Sequence, residues 1–206
     1  MSAPLLDGLN PAQREAVMHG EGPLLVVAGA GSGKTRVLTH RIARLIEDDN
    51  VSPFEILAIT FTNKAADEMR HRVGSLVGPV AQKMWVSTFH SACVRILRRD
   101  GARLGYPSSF TIYDVLRDLN IDTKRLPARS VQGQISLAKN ELRSPEQLAD
   151  EATHIIERKV ADVYAEYQAR LRAAGAMDFD DLLGVTVELF RTHSDVLESY
   201  QRRFRY

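Results

Sequence analysis

The chain has 206 residues, 44% hydrophobic and 26% charged, a balance that excludes a disordered or fibrous protein and suits one ordinary domain or two small ones with a packed core. Lys and Arg number 27 against 26 Asp and Glu, a net charge of +1, so no global field draws the chain to nucleic acid or membrane, and any such binding must rest on local patches. The single cysteine, Cys93, rules out an internal disulfide and a Cys-x-x-Cys site, and with no leader pattern in residues 1–10 and no apolar run near ~18 residues, the expectation is a cytoplasmic protein without a membrane span.

Short β-branched apolar runs alternate with stretches of helical spacing through the first half, the rhythm of βα units around a parallel sheet. Residues 24–27, Leu-Leu-Val-Val, read as a fully buried strand; a glycine-rich turn follows, then a helix with Leu38, Ile42, Leu45 and Ile46 on one face. Residues 56–61 form the next expected strand, and Ala66, Met69, Val73, Leu76 and Val77 stripe the helix after it. A third strand over 85–89 leads into a helix through Val94 and Leu97. From Gly101 to Gly175 the β signal fades, while Ile156, Val160, Val163, Tyr164, Tyr167 and Leu171 keep helical period, which predicts a helical subdomain. Asp178 stands where an N-cap would, with Asp181 three residues on, ahead of a helix carrying Leu182, Leu183, Thr186, Leu189 and Phe190. A shorter helix runs through Val196, Leu197, Tyr200 and Phe204.

Ala28-Gly29-Ala30-Gly31-Ser32-Gly33-Lys34-Thr35 matches the phosphate-binding pattern G-x-x-x-x-G-K-[ST], with Ala28 in place of the first glycine. Its context supplies what the pattern alone cannot. An apolar run precedes the loop, small residues let backbone N–H groups wrap a phosphate, and a helix begins at Gly33 with its positive end toward the anion. Lys34 is placed to reach the β- and γ-phosphates, and the Thr35 hydroxyl to complete a Mg2+ shell. The competing reading is a flexible Gly/Ser turn with a solvated lysine. Agreement of strand, loop and helix favours the triphosphate site, although such a loop alone does not choose among kinases, GTPases and motors.

Four segments narrow that choice: Leu9-Asn10-Pro11-Ala12-Gln13-Arg14-Glu15-Ala16-Val17, the phosphate loop, Thr60-Phe61-Thr62-Asn63-Lys64-Ala65-Ala66-Asp67-Glu68-Met69, and Val86-Ser87-Thr88-Phe89-His90-Ser91. In this order they resemble the Q motif and motifs I, Ia and Ib of the UvrD/PcrA/Rep branch of superfamily I DNA helicases. Met177-Asp178-Phe179-Asp180-Asp181-Leu182-Leu183 resembles motif Id of the same family. The resemblance implies a P-loop, RecA-like α/β fold with an inserted helical subdomain: domain 1A over 1–100, domain 1B over 101–175, and a return to 1A over 176–206. It implies that Gln13 reads the adenine of ATP, that residues 28–35 hold the phosphates with Mg2+ on Thr35, and that Arg36 lies near base or sugar. It also implies that Phe61, Thr62, Asn63, Thr88, Phe89 and His90 line a single-stranded DNA track.

Residue chemistry is compatible with that track, since an aromatic face stacks on any base and hydroxyl, amide and imidazole groups reach phosphates without reading sequence. The alternatives are equally concrete. Phe61 and Phe89 each end an apolar run and could be core; His90 could be a satisfied histidine or a cap; Arg95, Arg98, Arg99 and Arg103 could track phosphates or simply form a solvated face. By resemblance, relatives continue past the position of Tyr206 into a strand ending in an acidic D-E-x-x-D segment. The stretch in hand is therefore expected to bind ATP without hydrolysing it, to act with a second RecA-like domain, and to serve a 3′-to-5′ translocase on single strands and duplex junctions. A small-molecule kinase would leave motifs Ia and Ib unexplained. A non-catalytic nucleotide-binding or interaction module remains the alternative. Relatives also carry a longer helical stretch near Tyr113-Asp114-Val115-Leu116, which puts chain continuity between Asp114 and Val115 in question.

Overall fold

The computed structural model describes residues 3–113 and 128–206; the junction at Asp114 and Val115 lies outside them. The chain divides into two compact units, residues 1–89 with 199–206, and residues 90–198.

In the first unit, α1 (Pro11–Met18) begins at an Asn10 cap with proline in its first turn, and α2 (Lys34–Glu47) begins directly after the phosphate loop. Strand β1 (Leu57–Thr60) leads into α3 (Asn63–Val77), which starts on a Thr62 cap and stops at Gly78. Strand β2 (Trp85–Thr88) pairs with β1 in parallel, Leu57 opposite Trp85 and Thr60 opposite Thr88. Ile42 and Leu45 of α2, Ala66, Met69 and Val73 of α3, and Ala58 and Val86 of the strands share one buried core. The stripe expected on the helix after β1 is therefore the face that packs, with Leu76 and Val77 at its half-buried margin. On the other edge of β1, the Tyr206 N–H donates to the Glu55 carbonyl at 3.2 Å and the Leu57 N–H to the Tyr206 carbonyl at 2.9 Å. The last residue thus opens a parallel bridge beside β1.

The expected strand at 24–27 is not formed. These residues belong to no strand, and Leu25 and Val27 are 86% and 87% exposed. An extended segment buries both faces only between flanking strands, and none flanks it among the described residues. A cavity of about 760 Å3 separates it from β1, lined by Leu24, Val26, Leu38, Ile42, Ile59 and Tyr206 among others. The same space explains why Leu38, on the expected apolar face of α2, stays exposed.

The second unit holds most of α4 (Phe89–Asp100), then α5 (Ala128–Asn140), α6 (Pro145–Glu151), α7 (Ile155–Ala173) and α8 (Phe179–Thr192). Helix α9 (Ser194–Arg203) runs across the boundary between the units in sequence. Val131, Ile135 and Ala138 of α5 pack on Val160, Tyr164, Tyr167 and Leu171 of α7. Ile156, in the first turn of α7, is the member of the predicted stripe left exposed. Within the stretch where the β signal fades lies one short strand among the described residues, β3 (Thr111–Tyr113), which pairs in parallel with β4 (Ala176–Asp178) just after it, Tyr113 opposite Asp178. Three-residue strands are too short to leave an alternation pattern.

These burials predict a contrast in stability. Leu97 is fully buried, and Leu97→Ala should cost about 2–5 kcal/mol by cavity formation. Leu25→Ala, at a residue 86% exposed, should stay within about 0.5 kcal/mol. Urea unfolding of both variants checks the pair.

Candidate functional site

Asn10 and Gln13 close a reciprocal capping box at the start of α1. The Asn10 Oδ1 accepts from the Gln13 N–H at 2.9 Å, and the Gln13 Oε1 accepts from the Asn10 N–H at 3.0 Å. The same Gln13 side chain donates from Nε2 to the Ser32 carbonyl at 3.0 Å, which brings the glutamine of α1 onto the glycine-rich loop. One amide hydrogen and one oxygen lone pair are left over by these bonds.

Two glycines make the loop possible: Gly31 at φ 75° and Gly33 at φ 85° occupy the left-handed region. The Ser32 hydroxyl donates to the Gly29 carbonyl at 2.7 Å, and the first bond of α2 runs from the Val37 N–H to the Gly33 carbonyl at 3.0 Å. The Lys34 Nζ donates to the carbonyls of Ala28 and Gly29 at 2.7 and 2.5 Å, so its ammonium spans the loop. Thr35 is exposed on the first turn of α2, next to Lys34. A hard cation such as Mg2+ takes few protein oxygens and keeps phosphate and water ligands, and an exposed hydroxyl in this position fits that demand. Ala28, Gly29, Ala30, Gly31 and Ser32 are all exposed, which leaves their backbone approachable.

Arg36 reaches toward the N-terminal segment, donating to the Asp7 carbonyl at 3.3 Å, and a Cβ on Gly8 would lie 2.8 Å from its Nη2. Arg41 and Arg44, one and two turns further along α2, hold the end of α1. Arg41 donates to the carbonyls of Ala16, His19 and Gly20, and Arg44 to that of Val17. Burial, reinforced by Arg44, lowers the Arg41 pKa from its ordinary value. Two guanidinium groups thereby satisfy carbonyls at the negative end of α1 and tie it to the helix that starts at the loop. Neither arginine was singled out by the sequence pattern, because this service depends on how α1 and α2 meet.

At the far end of β1, Phe61 is 90% exposed and lies tilted against half-exposed Phe89, ring centroids 5.9 Å apart. The core alternative is excluded for both. The Thr62 oxygen caps α3 by accepting from the Ala65 N–H at 3.1 Å, and Asn63 is exposed beside it. Thr88 is buried in β2, 8% exposed, which leaves its side chain little surface to offer a strand. In the second unit, His90 meets the Phe179 ring edge-on at 5.8 Å, and Phe179 is half exposed at the first position of α8. The motif-Id resemblance includes Phe179, but its contact with a residue so distant in sequence leaves no local signal.

The basic run is partly used internally. Arg98 lies over the Phe110 ring at 5.9 Å and Arg103 pairs with Asp195 at 2.5 Å. Cys93 is buried, and burial raises its thiol pKa, so it is a packing residue and not a nucleophile. Among the described residues no cluster of His, Cys, Asp and Glu has metal-binding geometry, and no helix is long and apolar enough to cross a membrane.

Gln13 is thus bonded to the glycine-rich loop, and Phe61 and Phe89 form an exposed aromatic pair at a strand end. A family model described as the UvrD/REP helicase N-terminal domain matches residues 9–206. The chain belongs to the UvrD/REP helicase family. It is similar to the ATP-dependent DNA helicase PcrA of Bacillus subtilis, 52% identical over all of this chain and 29% of that protein. PcrA of Leuconostoc citreum is 51% identical over 98% of this chain and 28% of the relative, and PcrA of Staphylococcus aureus 52% over 98% and 29%. This UvrD/REP domain therefore spans under a third of the length of those relatives.

Proposed function

We propose that the chain is the ATP-binding part of an ATP-driven DNA helicase and single-strand translocase, built as a RecA-like domain 1A (1–100 and 176–206) with an inserted domain 1B (101–175). The observation that carries this reading is the Gln13 bond to the Ser32 carbonyl, which joins a base-reading amide to a phosphate loop in a UvrD/REP domain. The spare hydrogen and lone pair of Gln13 match adenine N7 and N6, a donor–acceptor pair that guanine inverts at position 6. Backbone N–H groups of residues 29–33 receive the β-phosphate, Lys34 turns from the loop carbonyls to the β- and γ-oxygens, and Arg36 lies by the base or sugar. Thr35 would hold Mg2+, which when bound neutralises charge on the bridging phosphates.

Phe61 and Phe89 offer faces for nucleobases, Thr62 and Asn63 add exposed hydroxyl and amide groups, and in the second unit His90, with Phe179 against it, is assigned to strand binding as well. Translocation follows from alternating grip: ATP draws this domain and a second RecA-like domain together, and turnover releases them. The reading places the protein in the cytoplasm on single-stranded DNA and duplex junctions, with 3′-to-5′ polarity. It also has this stretch bind ATP without turning it over, the acidic pair for Mg2+ and water lying beyond the position of Tyr206. The parallel bridge that Tyr206 opens beside β1 is where such a strand would continue.

The test compares two lengths of the protein. The 206-residue chain should bind Mg-ATP with no measurable hydrolysis, and a chain extended to the full length of its relatives should hydrolyse ATP at least tenfold faster with oligo-dT present. ATP turnover in the extended chain that ignores single-stranded DNA would reject the motor in favour of a nucleotide-binding module.

A further inference from the structure

The second unit contains a buried ionic cluster that phosphate and strand binding leave unexplained. Lys139 of α5 has a side chain 4% exposed, and its Nζ lies 2.5 Å from Asp178 Oδ2 and 2.8 Å from Asp181 Oδ1. Gln168 of α7 donates from Nε2 to Asp181 Oδ1 at 2.9 Å, and the two aspartates exchange backbone-to-carboxylate bonds as the capping box of α8. All four carboxylate oxygens have donors, and the Tyr167 ring centroid lies 4.9 Å from the ammonium. Burial and the neighbouring Asp178 raise the Asp181 pKa, against the pull of Lys139.

Buried charge clusters contribute little net stability compared with apolar packing; what they supply is a fixed geometry. The geometry fixed here is the first turn of α8. Buried apolar anchoring of that helix begins at Leu182 and continues through Val185 and Leu189, whereas the turn before it holds Phe179, half exposed, and the two capping acids. A cavity of about 170 Å3, lined in part by Ile135, Tyr167, Phe179 and Asp180, lies at this first turn and leaves it open space on one side.

We propose that Lys139 is a positioning residue for the His90–Phe179 ring pair: its double ion pair sets the first turn of α8 so that Phe179 stands edge-on to His90, ready for a nucleobase. The inference rests on the strand-binding reading of His90, and the experiment separates the two. Lys139→Met removes the charge at similar length, and Lys139→Met/Asp181→Asn also removes one of the two buried carboxylates that lose their cation, so that the uncompensated charge is halved and a folded variant is easier to obtain. The first readout is the His90 ring proton shift, calibrated with Phe179→Leu, which reports the ring current of Phe179 and involves no DNA. The second is oligo-dT affinity by fluorescence anisotropy.

The expected result is a His90 shift displaced most of the way to that of Phe179→Leu, together with an oligo-dT Kd raised about fivefold or more, the scale of one lost base stack. A folded double variant with the parental His90 shift overturns the proposal. A shift that follows Lys139 while neither it nor Phe179→Leu changes oligo-dT affinity supports the positioning and overturns the strand-binding role of the pair.

Discussion

Lys34→Ala should weaken Mg-ATP binding about ten- to a hundredfold and leave adenosine binding unchanged. The range follows from losing hydrogen bonds to a charged acceptor, about 1.5–3 kcal/mol, at about 1.4 kcal/mol per tenfold change. The loss stays at this scale because the ammonium is not free beforehand: it already donates to the Ala28 and Gly29 carbonyls and must exchange those bonds for phosphate oxygens. Both carbonyl-bearing residues are exposed, so water replaces the ammonium in the variant and folding stability should move by less than about 0.5 kcal/mol. Isothermal titration with Mg-ATP and with adenosine, beside a thermal melt, separates the outcomes. Parental ATP affinity would remove Lys34 from the phosphate site, and loss of adenosine binding with a lowered melting temperature would mean that the loop itself had collapsed.

Features made by neighbours in sequence were legible; features made by partners distant in sequence were not. The start of α2 and the Asp178–Asp181 capping box each depend on residues a few positions apart, and each forms as read. Residues 24–27 carry the composition of a buried strand, but burial is conferred by flanking strands, so the segment is exposed. The β3–β4 pairing joins residues 65 positions apart in register, and Lys139 meets Asp178 across 39 positions; no local period encodes either. Phe61 and Phe89 sharpen the same point. An aromatic at the end of an apolar run suits a core as well as a stacking face, and the fold, which sets the two rings side by side at the surface, excludes the core alternative.

Gly33→Ala should damage triphosphate binding and base selection together. At φ 85° and ψ 22° an L-residue costs about 1–2 kcal/mol, and a Cβ there would sit 2.7 Å from Gln13 Nε2. The backbone penalty weakens the loop proposed to wrap the phosphate. The collision is relieved more easily, because the obstructing atom is the end of a flexible side chain, but relief requires Gln13 to leave the Ser32 carbonyl and with it the pose proposed to read adenine. The preference for ATP over GTP should therefore fall toward unity in Gly33→Ala, as it should in Gln13→Ala. A double-mutant cycle separates the two causes: with Gln13 already removed, the steric share of the Gly33→Ala penalty disappears and the backbone share remains, giving a coupling of about 0.5–1.5 kcal/mol. Equal penalties in both backgrounds would mean that Gln13 does not press on the loop, and undiminished ATP preference in folded Gly33→Ala would mean that the base is read elsewhere. Because one glycine accommodates both the left-handed turn and the approaching amide, it is the position at which the proposed phosphate binding and base recognition would become a single property of the loop.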